Sequence, residues 1–150
     1  MFAAFSTSWL RPLRFYFFSL TACNLTWEAL QLPLYTVWST ASMGELVYDV
    51  LHCTVGDTMI ASLALFSSIL IAGLITSPRA RFTAISMFTV LLGLGYTIYS
   101  EWHNTMTTHA WSYAPSMPTV LGIGLAPVAQ WVVVPVLAFR LTQRLLHQPR

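Results

Sequence analysis

Glu28 is a carboxylate set in an otherwise apolar run, and Thr21, Asn24 and Gln31 lie with it at i, i+3, i+7 and i+10 spacing. On a helix these four share one face. An ionised acid inside the hydrocarbon costs about 2.5–3.5 kcal/mol on insertion scales, so such a residue needs a close partner or a bound proton. Three further polar stripes have the spacing to meet it. Asp49, His52, Cys53, Gly56 and Asp57 form one; Gly93, Thr97, Ser100, Glu101 and Asn104 form a second. Gly122, Pro127 and Gln130, followed by Trp131, mark the third. The chemistry these residue types support is proton transfer, because burial favours the neutral carboxyl and readies it to act as an acid. Glu28 is therefore the leading candidate acid/base, with His52 or Glu101 tuning it. Asn24, Gln31, Asp57, His103, Asn104, Gln130 and Trp131 are candidates to line a ligand pocket around it.

Other chemistries lack their signatures. The chain has no HExxH pair, no nucleophile elbow and no phosphate-binding glycine loop. Glu101 and His103 are two residues apart, a spacing that turns them away from each other on a helix. A cation held by Glu28, His52, Asp57 and Glu101 would need ligands from different helices at unequal depths, so no metal is assigned. A haem between His52 and His103 has nothing further to support it, and no cofactor is expected. Cys23 and Cys53 stand alone, without CxxC or CxxH spacing, and read as small apolar packing residues.

The elements that must carry these residues are transmembrane helices. Of 150 residues, 56% are hydrophobic and only 8% charged, against about 25% charged in soluble domains. Four apolar stretches, 13–32, 50–75, 82–100 and 119–141, each approach the roughly 20 residues that cross a bilayer core. Short connections favour an all-α, up-down-up-down four-helix transmembrane bundle in a single domain. All seven basic residues are arginine, and with four crossings Arg11, Arg14, Arg79, Arg81, Arg140, Arg144 and Arg150 fall on one side. Glu28, Glu45, Asp49, Asp57 and Glu101 lie toward the other. The positive-inside rule makes the arginine side cytoplasmic, which places both termini inside, 36–49 and 102–118 outside, and the protein in the cell inner membrane.

Counting 1.5 Å per residue from the arginines puts Asn24 and Gln130 near mid-membrane and Glu28 roughly 10 Å inside the outer boundary. By the same count Asp57 and Glu101 sit at the outer rim, with His52 and His103 just beyond. Leu20-Thr21-Ala22-Cys23 after Arg11 and Arg14 resembles a bacterial lipoprotein signal. The helical pattern runs through Cys23 to Leu32, however, so the expectation is an uncleaved first helix. Trp111 and Tyr113 read as interfacial anchors. Pro115 and Pro118 stiffen the entry to the last helix.

At the level of layout, His52 and Asp57 on one helix, Glu101 on the next and Gln130-Trp131 on the last are similar to the emopamil-binding-protein family, although the spacings differ. The resemblance implies an intramembrane pocket for a sterol-like ligand. The leading functional expectation is a site for a lipid, isoprenoid or similar apolar small molecule, with acid–base conversion of it. The alternatives are a non-catalytic accessory or assembly subunit with a membrane-protein partner, and a homo-oligomeric channel or carrier. A charge of +2 with dispersed arginines offers nothing to nucleic acid.

Overall fold

The computed structural model describes residues 10–75, 77 and 80–146; Arg79, His147 and Arg150 lie outside the described residues. Four long helices dominate it: α1 (Leu10–Gln31), α3 (Met43–Ile75), α4 (Arg81–Trp102) and α5 (Leu125–Leu146), with a one-turn α2 (Val37–Thr40) between the first two. Among the described residues, three segments are long and apolar enough to cross a membrane: Met43–Ile75, Arg81–Thr107 and Leu125–Leu145. Helix α1 has the same length as α4 but carries Arg11, Arg14, Asn24 and Glu28. It packs against α3 and α5, while α4 closes the set by packing against the same two helices.

Small residues let these helices approach. In the second half of α3 the buried positions are Ala61, Ala64, Leu65, Ser68 and Ala72; on α4 they are Thr89, Gly93, Thr97 and Glu101. Each set recurs every three or four residues, so it forms one face. Large side chains such as Leu63, Phe66, Leu70, Leu91 and Tyr99 are exposed on other faces. In lipid, close van der Waals packing replaces the hydrophobic drive between helices, which suits small residues at the seam. The hydroxyls of Ser68 and Thr89 bond back to the carbonyls of Ala64 and Ile85 at 2.6 and 2.7 Å, so their burial leaves no polar atom unpaired. Toward the arginine end the core is apolar: Tyr16, Leu20, Leu65, Val134, Ala138 and Phe139 pack together. There the Tyr16 hydroxyl is buried without a partner among the described residues.

Two boundaries differ from the hydropathy reading, each for a local reason. The apolar run at 50–75 predicts a start at 50, but α3 begins at Met43. Ser42 and Glu45 make a reciprocal cap: the Ser42 backbone N–H donates to Glu45 Oε2 at 2.7 Å, and the Glu45 N–H donates to Ser42 Oγ at 3.4 Å. This S-x-x-E pattern is a helix-start signal independent of hydropathy. The run at 119–141 predicts a helix from 119, whereas residues 119–124 form a small hairpin and α5 starts at Leu125. Its strands β1 (Thr119–Val120) and β2 (Ile123–Gly124) pair antiparallel. The turn between them puts Leu121 and Gly122 at φ 51° and 78°, the pair of left-handed residues that a two-residue hairpin needs. An apolar hairpin and an apolar helix look alike to a hydropathy window.

Candidate functional site

Asn24, Glu28 and Gln31, buried polar residues in the second half of α1, meet Gln130 of α5 and Asp57 of α3 at the end of the bundle away from the described arginines. Gln130 is the hub and is only 2% exposed. Its Nε2 donates to Glu28 Oε1 at 2.8 Å, to Asp57 Oδ2 at 2.7 Å and to Asn24 Oδ1 at 3.2 Å. Its Oε1 accepts from Gln31 Nε2 at 3.2 Å, and the same Gln31 nitrogen donates to Glu28 Oε1 at 2.9 Å. Trp27 completes the chain by donating its indole N–H to Gln31 Oε1 at 3.1 Å. One amide nitrogen carries only two hydrogens, so three acceptors compete for it, and the Asn24 contact is the longest.

Two carboxyls from different helices thus share one neutral donor. The described arginines are at the far ends: Arg14 is 14 residues before Glu28 on the same helix, roughly 20 Å along the axis. The sequence count sets Asp57 at the rim and Glu28 deeper, but both reach the same nitrogen. The reason is α3 itself: at 33 residues it is about 50 Å long, so the arginine after it is no depth marker comparable to Arg14. Trp131, buried in the next position of α5, lies against Gly93 of α4.

A second cluster closes the outer end. Tyr113 donates a hydrogen bond from its hydroxyl to Glu101 Oε2, Trp111 Nε1 approaches the same oxygen at 3.4 Å, and the Gly124 N–H donates to Tyr113 Oη at 2.9 Å. A side chain at position 124 would crowd the Tyr113 ring, with a Cβ only 3.0 Å from it. The segment after α1 joins this loop through a Tyr35–Tyr113 bridge, with Thr36 N–H to Ser112 O at 3.0 Å and Ala114 N–H to Leu34 O at 2.9 Å. Residues 32–36 and 111–114 therefore form a strap across the helix ends, latched to Glu101. Burial, and then the hydrogen bond to Glu101, raise the Tyr113 phenol above its ordinary value.

A raised phenol value means that its contribution is full below the unfolded value near about pH 10 and is lost only as pH rises through the higher folded value. Tyr113→Phe should therefore lower thermal stability in detergent by about 1–2 kcal/mol at pH 7. That cost should stay constant to pH 9, and a cost that disappears between these pH values would contradict the latch.

The remaining candidates lie elsewhere. His52 is exposed and stacks on Tyr48 at 5.6 Å, so it is not brought to Glu28. His103 stacks on Tyr99 at 5.7 Å. Asn104 is used to finish its own helix, donating to Ser100 O at 2.8 Å while its carbonyl accepts from the Ala110 N–H at 2.8 Å. Glu101 is buried but belongs to the strap latch. Sequence reasoning gave Trp27 and Tyr35 no role at the site and took Trp111 and Tyr113 as interfacial anchors of an outer loop. The available signal was that indole and phenol donors fell beside buried acids and at the ends of the same helices.

Fold and site together define a predominantly helical protein with three membrane-length apolar helices, which carries a carboxyl-rich polar centre inside the bundle. No family model matches the chain, and comparison with curated proteins and with solved structures gives no match.

Proposed function

We propose that the protein is a four-crossing inner-membrane protein whose Glu28–Asp57–Gln130 centre binds an apolar, lipid- or isoprenoid-type ligand and exchanges a proton with it. The observation that carries this reading is the sharing of one Gln130 nitrogen by two carboxyls from α1 and α3, at the end opposite the described arginines. The two carboxyls meet on one neutral amide, close enough for a proton to pass between either of them and a bound substrate. Such a pair can give a proton to an apolar substrate or take one from it, while Trp27, Trp131 and the strap exclude water. Glu28 is the acid/base in this scheme, and Asp57 takes the place beside it that sequence reasoning gave to His52 or Glu101.

Glu28→Gln keeps the size and hydrogen-bonding capacity of the side chain but cannot titrate. It should fold as wild type, lose a copurifying apolar ligand detectable by mass spectrometry of organic extracts, and lower any proton-transfer rate by about a hundredfold or more. Unchanged ligand content in Glu28→Gln would remove the acid–base reading.

The four-crossing arrangement, with both ends cytoplasmic, draws on the packing of α1 against two membrane-length helices and on the segregation of arginine. Reporter fusions in the 76–80 connection and after residue 146 should both read cytoplasmic; an external signal from either would refute it. A second reading, a non-catalytic assembly subunit, draws on the exposed Tyr48–His52 stack of α3 and the Tyr99–His103 stack of α4. A stoichiometric partner in mild detergent, lost on His52→Ala and unaffected by Glu28→Gln, would favour it.

A further inference from the structure

At the arginine end, one face of α1 and the last turn of α5 border an open groove of about 660 Å³ lined by Leu10, Arg11, Arg14, Phe15, Phe18 and Leu145. Positions 11, 14, 15 and 18 have i, i+3, i+4 and i+7 spacing, so a single face of α1 supplies all four side chains. Leu145, in the last turn of α5, forms the opposite wall. The face is graded along the helix. Two guanidiniums come first, and Phe18 follows one turn past Arg14, about 6 Å farther along the axis. A headgroup layer is roughly 5–7 Å thick on each side of the hydrocarbon, so cation above phenyl reproduces the order of phosphate above acyl chain. The five acids of the chain all lie toward the other end of the bundle. No carboxylate among the described residues therefore neutralises Arg11 or Arg14, and both are exposed, as is Phe18 at 74%.

From this charge complementarity and this order of lining residues we infer that the groove is a specific seat for one anionic phospholipid of the leaflet on the arginine side. Its phosphate is held by Arg11 and Arg14, and one acyl chain lies along Phe15, Phe18 and Leu145. Guanidinium suits the role because its planar donors grip phosphate oxygens in pairs. Basic recesses between membrane helices are a general means of selecting lipid headgroups. The site is at the opposite end of the bundle from Glu28 and does not depend on how that centre functions.

The full chain in mild detergent, given phosphatidylglycerol and phosphatidylcholine of equal chain length, can be tested by native mass spectrometry. Wild type should retain phosphatidylglycerol in preference by about tenfold. Arg11→Gln with Arg14→Gln should abolish the preference. Leu145→Trp, which keeps every charge and fills the groove, should abolish it too. Arg140→Gln with Arg144→Gln, which removes equal charge outside the lining, should leave it intact. A preference that survives either groove variant, or that falls equally in the Arg140/Arg144 variant, overturns the inference in favour of diffuse charge attraction. Displacement of the lipid by millimolar inorganic phosphate would overturn it in favour of a free-anion site.

Discussion

Gln130→Leu should destabilise the protein by about 2–4 kcal/mol, read by thermal or denaturant unfolding in detergent. A single interhelical hydrogen bond in a membrane averages only about 0.6 kcal/mol, so the larger figure needs a reason. Gln130 ties α5 to both α1 and α3, and its amide is engaged by Asn24, Glu28, Gln31 and Asp57 together. Removing it takes the Gln130 donor from half-buried Asp57 and leaves buried Glu28 with Gln31 alone, and an under-satisfied acid in the interior costs more than the bond it lost. Gln130→Met, close to glutamine in length, separates packing from hydrogen bonding and should cost nearly as much as Gln130→Leu. A change within about 0.5 kcal/mol of wild type, the range of ordinary surface substitutions, would show that the centre is not held by this residue.

Gly93→Ala is the second large effect. A Cβ at Gly93 would fall within the Trp131 ring, and the indole is itself buried between helices. Overpacking of this kind costs about 1–3 kcal/mol. It should also displace the Trp131 ring, so the loss of stability should come with a change in tryptophan fluorescence. Gly95, two residues on, faces open space, and a Cβ there would meet nothing within 4 Å. Gly95→Ala should then be neutral or gain roughly 0.5–1 kcal/mol from helix propensity. Equal behaviour of the two alanine variants would dismiss the Trp131 contact as a constraint.

What could be read in the sequence follows from which signals are periodic. The stripe Asn24–Glu28–Gln31 is legible because helical spacing fixes a common face, and the structure buries all three residues. Gln130 is legible as a lone amide in an apolar run. The identity of the partners was not, because depth counting assumes straight, equal helices, and α3 has 33 residues where α1 and α4 have 22. His52 shows the same limit from the other side. It falls within the arc that contains Asp57, yet the ring lies on Tyr48 at the exposed surface. An arc of about 140° is wide enough to hold both a buried and an exposed residue. The strap was hidden for a different reason. Its links are backbone pairs between residues 34–36 and 112–114, and main-chain hydrogen bonds between distant loops leave no trace in side-chain pattern. The cap on α3 could have been found, since Ser42 and Glu45 spell it out.

The length of α3 has a consequence for the lipid around the protein. A helix of about 50 Å exceeds a hydrocarbon core of about 30 Å by several turns, and such a mismatch is met by tilt, by protrusion or by local thickening of the bilayer. The first turns of α3 carry Glu45, Asp49 and His52, polar groups that resist submersion. Acyl-chain length therefore sets how far below the water surface Asp57 lies. Longer chains drown the first turns of α3 at a cost in free energy and carry the carboxyl pair deeper; shorter chains bring it toward the headgroups. On the proton-exchange reading proposed above, membrane thickness would thereby set how readily protons reach that pair.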